Sequence, residues 1–171
     1  MSAILRRAGV STRAFYRNFG SKDELFLALL QQECDAVAAR LDRIAGEAVG
    51  TPANQLAAWI GEMFEVIISP CQRMQLTVID SDEVRMAKGY WETREHSRAD
   101  RECSLVEILG RGRRDGSFPL ADPDSDAVAI SAVVSRVMAH QSPDDLQGAK
   151  QAQVSVLDFA LRAVGATAPP V

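Results

Sequence analysis

Apolar residues recur along this chain every third or fourth position, and no stretch alternates in the strand manner; that spacing commits it to helices. Leu30, Cys34, Val37, Leu41 and Ile44 form one such stripe, and Leu56, Ile60, Met63, Phe64 and Ile67 form another. Prolines cut the pattern into pieces. Thr51-Pro52, Asp122-Pro123 and Ser142-Pro143 each set a capping residue before a proline suited to a first helical turn. The spacing predicts helices over 21–45, 53–69, 72–80, 84–114, 125–141 and 146–164. Arg113-Arg114-Asp115-Gly116 should close the long helix, with cations near its negative end and glycine beyond it. The fold class expected is all-α.

The first thirty residues are more specific. Gly9 sits where a sharp helix-to-helix reversal needs a residue tolerant of positive φ, between short helices expected at 2–8 and 12–19. Ser11 can cap the second helix by accepting a backbone N–H, and Gly20 is placed to end it. Ser21-Lys22-Asp23-Glu24 is a capping box opening the third, longer helix.

Charge follows the same division. Residues 1–22 hold Arg6, Arg7, Arg13, Arg17 and Lys22 and no acid, whereas the whole chain stands at −4, so the remainder carries −9. A basic edge on an acidic body is the electrostatic footprint of a phosphate-binding end. The same charges would also suit an ordinary solvated helical hairpin.

Gly9-Val10-Ser11, Phe15-Tyr16-Arg17-Asn18-Phe19, Ser21-Lys22 and Leu25 together resemble the helix-turn-helix signature of tetracycline-repressor (TetR) family regulators. The resemblance implies a homeodomain-like head in residues 1–45, including a connecting helix, and a helical effector-binding and dimerisation domain in 46–166. It implies a transcriptional regulator, a repressor released from double-stranded operator DNA by a small-molecule effector. By position, Thr12, Arg13 and Arg17 would face base edges in the major groove, where an arginine favours guanine. Tyr16, Asn18 and Lys22 would grip phosphates with Ala14 near the backbone, while Phe15, Phe19, Leu25, Ile4 and Leu5 pack the head. Family members carry a complete helix before the point matching Met1, so the head expected is N-terminally truncated. That departure motivates an alternative, a non-DNA-binding dimeric ligand sensor or helical interaction protein.

The middle of the chain concentrates Trp59, Met63, Tyr90, Trp91 and His96. Such residues at helical spacing are more often core than pocket; the resemblance implies that they line an effector cavity, with methionine as adaptable wall and tryptophan as rigid wall. The last two helices are also unusually apolar. Val128, Ile130, Val133, Val134, Val137 and Met138 on one, and Val154, Leu157, Leu161 and Val164 on the other, fit either a single-chain core or a four-helix interface between two copies. The resemblance implies the homodimer. Two recognition helices then reach successive major grooves about 34 Å apart.

Other classes find little support. His96 and His140 lack companions at metal-ligand spacing, and there is no glycine-rich phosphate loop or nucleophile elbow, so neither enzyme, metal nor cofactor is expected. Cysteines at 34, 71 and 103 are an odd, unpaired set that reads as reduced thiols in a cytoplasmic chain. No apolar run approaches the ~18 residues of a membrane span.

Overall fold

The structure, a computed structural model, describes residues 6, 9, 11–47, 49–70, 72–73, 81–142 and 144–166. Among these the chain is helical without strands: α1 (Thr12–Asn18), α2 (Lys22–Glu47), α3 (Pro52–Ile68), α4 (Asp82–Arg85), α5 (Tyr90–Asp115), α6 (Pro123–Met138) and α7 (Leu146–Ala163). The helices expected at 2–8 and 72–80 lie largely outside the described residues.

The caps explain the boundaries. Thr51 Oγ1 accepts the Asn54 N–H at 3.2 Å, with Pro52 in the first turn, so α3 starts where the Thr-Pro pair indicates. Asp122 precedes Pro123 at the head of α6. The third pair behaves differently: α7 begins after Asp145, whose carboxylate accepts the Gly148 N–H at 2.8 Å, and not at Ser142-Pro143. An aspartate beside the helical stripe is the closer capper. At the far end of α5, Gly116 adopts φ 81 as expected, and Ser117 donates both its N–H and its hydroxyl to Asp115, holding that carboxyl below its ordinary pKa.

The long helix expected over 84–114 is broken. α4 stops at Arg85, and a turn through Met86–Gly89, with Gly89 at φ 102, redirects the chain into α5. Met, Ala and Lys are good helix formers, so local propensity predicts continuity. The break is tertiary: Val84 and Tyr90 are both buried against Phe26, Leu30 and Cys34 of α2, and a continuous helix would not present both.

α2 and α3 pack on each other and on α5; α5 packs on α6, and α7 on α3 and α6. The core they enclose is built from Leu41, Leu56, Trp59, Phe64, Ile108 and Phe118, with Val134 and Ala160 from the last two helices. The end of α2 has no cation of its own. Its terminal carbonyls are taken from outside: Gln55 donates to Ile44 O at 3.1 Å and Arg111 donates to Ala45 O. α2 is thereby anchored in the body at one end and carries the head segment at the other.

Candidate nucleic-acid interface and adjoining cavity

The head is built around α1. Gly9 takes φ 65, and its N–H donates to Arg6 O at 3.3 Å, the tight reversal that the sequence requires. Ser11 Oγ accepts the Ala14 N–H at 3.1 Å and starts the helix. Phe15 is buried, meeting Tyr16 edge-on with centroids 5.1 Å apart and Phe19 at 5.6 Å. Thr12, Arg13, Tyr16 and Arg17, related by one- and four-residue steps, consequently share one exposed face. Tyr16 is 59% exposed, a large apolar ring with a hydroxyl left in solvent. Asn18 is exposed and uses one amide N–H on Ala14 O at 2.8 Å; Ala14 is half-buried.

Two details of the α1–α2 junction depart from expectation. Gly20 does not take a left-handed conformation; α1 ends because Phe19 turns extended at φ −132. The capping box reaches one residue further back than its usual form. Ser21 Oγ accepts the Glu24 N–H at 3.0 Å, while the Glu24 carboxylate accepts the N–H of Gly20 at 2.5 Å. With Asp23 and Glu24 in its first turn, the start of α2 is already supplied with negative charge. Lys22 is half-buried, its ammonium 4.7 Å from the centroid of the Phe26 ring. Ile4 and Leu5 lie outside the described residues.

The head-proximal half of α2 is braced against the body. Asp23 Oδ2 accepts the Lys88 N–H at 3.5 Å, and Leu27 lies against Gly89, where an added Cβ would stand 3.0 Å from Leu27 Cδ1. Phe26, Leu30, Cys34, Val84 and Tyr90 form a small core of their own beside this contact.

A cavity of about 250 Å³ opens next to that cluster, between α2, α3, the start of α5 and the end of α6. Val37, Met63, Val66, Ile67 and Met138 form its apolar walls. Its polar side is made by Glu33, Arg40, Gln72, Arg85, Arg94 and Arg101, with Ser135 nearby. Arg40 is paired with Glu62. Arg101 Nε and Gln72 Oε1 are buried without a hydrogen-bond partner among the described residues. Burial above all, and then the neighbouring Arg94 guanidinium, lower the pKa of Arg101 from its ordinary value.

Of the five residues expected to line a cavity, Met63 does so. Trp59 is fully buried in the main core, its indole N–H donating to Ser104 Oγ at 2.8 Å. Tyr90 belongs to the small cluster, Trp91 is 73% exposed and stacks edge-on against Tyr90, and His96 is exposed. The arginines were missed because charged residues at helical spacing read as a solvated face. The i, i+7 spacing of Arg94 and Arg101 was the available signal, since it puts both on one side of α5.

Residues 1–29 match the family described as bacterial regulatory proteins, tetR family. Over its whole length the chain shares its fold with a solved structure described as the reduced form of E. coli NemR, at a TM-score of 0.65 and 22% identity, covering 100% of this chain and 88% of that one. No curated protein matches significantly.

Proposed function

We propose that this chain, a TetR-family transcriptional regulator by its head segment and its fold, is a homodimeric repressor that a small-molecule effector releases from operator DNA. The observation that carries the reading is a single helix, α2, joining an exposed basic head to the wall of a half-open cavity. Thr12, Arg13 and Arg17 read base edges, and Tyr16, Asn18 and Lys22 hold phosphates, with Ala14 close to the backbone. Residues 1–45 form the head with its connecting helix, and residues 46–166 form the effector-binding and dimer unit.

Cys34 belongs both to the cavity wall and to the cluster that braces α2 against Val84 and Tyr90. An occupant that displaces this wall therefore acts on the brace, and through it on the position of the head. Release follows when the effector binds the displaced arrangement better than the DNA-bound one. Exposed Val128 on α6, and Val154 and Phe159 on α7, support pairing of two copies through these helices. Such pairing spaces the two heads for successive major grooves.

The test is a gel-shift of the full chain on the region upstream of its own gene, followed by titration of variants against altered sites. Tyr16→Phe should weaken every duplex several-fold and about equally. Arg13→Ala should cost roughly 1–3 kcal/mol on the preferred site and flatten the preference at particular base pairs. Unchanged sequence preference in Arg13→Ala would overturn the assignment of the base-reading face, and absence of any shift at low salt would overturn the DNA-binding reading.

A further inference from the structure

A guanidinium N–H that is buried and unpaired is costly to a fold unless something supplies the missing acceptor. Arg101 is in this position on the cavity wall, with Arg94 two helical turns before it on α5 and no ion pair to either among the described residues. Arg85 and Arg40, the latter paired with Glu62, also line this space; among the described residues Glu33 is the single carboxylate lining it. The opposite walls, Val37, Met63, Ile67 and Met138, offer apolar surface and nothing to pair with a charge. At about 250 Å³ the cavity falls just below the roughly 300–1,000 Å³ usual for ligand pockets, so its occupant is small.

We propose that this cavity selects anionic effectors: small molecules with one carboxylate-like head, held by Arg101 and Arg94, and an apolar body lying against Val37, Met63, Ile67 and Met138. The proposal rests on reading the cavity as the effector site. A planar guanidinium matches a carboxylate through two parallel hydrogen bonds, and the contact strengthens away from water. A cationic ligand meets like charge, and a neutral one leaves Arg101 without its counter-charge. Gln72 Oε1, an acceptor without a donor, favours ligands that also carry a hydroxyl or amide N–H.

Calorimetric titration of the full chain with octanoate, octanamide and octylamine tests this. Octanoate should bind at least about tenfold more tightly than octanamide, and octylamine should bind least. Arg101→Met, which keeps the length and apolar stem of the side chain, should erase the difference between octanoate and octanamide, chiefly by weakening octanoate. Arg94→Gln should reduce the difference, and circular dichroism should show both variants folded. Equal binding of octanoate and octanamide to the parent chain, or discrimination that survives Arg101→Met, would overturn the anion assignment while keeping the cavity as a ligand site. Binding of none of the three probes at millimolar concentration would overturn the effector-site reading, and the anion assignment with it.

Discussion

Trp59→Ala is expected to cost about 3–5 kcal/mol and to lower the melting temperature by roughly 6–20 °C. The indole is fully buried in the centre of the core shared by α2, α3, α5 and the last two helices, so truncation opens a large cavity. It also removes a hydrogen bond. The Trp59 N–H donates to Ser104 Oγ at 2.8 Å, and that hydroxyl in turn donates to Arg101 O, also at 2.8 Å. Trp59→Phe should retain most of the packing and lose about 1 kcal/mol for the hydrogen bond. Thermal unfolding by circular dichroism checks both. A melting temperature within about 2 °C of the parent in Trp59→Ala would show that the indole is not a packing centre. Trp91, 73% exposed, provides the contrast, since Trp91→Ala should leave the transition almost where it was.

The second large effect is a reversal of sign between two glycines on one helix. A Cβ on Gly112 would stand 2.1 Å from Phe118 Cδ2 and 2.6 Å from Cγ, inside a ring that is itself fully buried. Relief requires Phe118 to move out of the core where α5 turns back. Its N–H, bonded to Gly112 O at 2.9 Å, ties that turn closed. Gly112→Ala should therefore destabilise by at least about 1–3 kcal/mol, and Gly112→Val by more. A Cβ on Gly110, two residues earlier, would meet Pro123 Cγ at 4.0 Å, which is ordinary contact. Gly110→Ala should stabilise by about 0.5–1 kcal/mol, because alanine loses less backbone freedom in forming the helix. Denaturant midpoints of the two variants settle the matter. A Gly112→Ala chain as stable as Gly110→Ala would mean that Phe118 does not occupy its place against α5.

How much of this was readable without coordinates varies along the chain in an instructive way. Gly9, Ser11 and the Ser21–Glu24 box act within four residues, and each does its expected work, though Glu24 reaches Gly20 and not Ser21. The helical stripes of α2 and α3 are likewise buried almost as spaced. The break at Met86–Gly89 was missed because Met86, Ala87 and Lys88 favour helix and outweigh the one glycine, while Phe26 and Leu30, which bury its flanks Val84 and Tyr90, lie some sixty positions away. The cavity misled for the same reason. Aromatic type cannot separate a core tryptophan from a ligand wall, and the Arg101 Nε is buried through contacts that no local pattern encodes.

By itself, then, the sequence determined the helical class, most helix boundaries and the composition of the exposed face of α1, because caps, turns and amphipathic stripes are short-range effects. Tertiary structure alone decided where the chain breaks between Arg85 and Tyr90, that Trp59 is core, and that arginines from α2, α4 and α5 converge on one cavity. Those outcomes depend on which distant surfaces exclude water together, and burial is a property of the packed molecule and not of any segment in it.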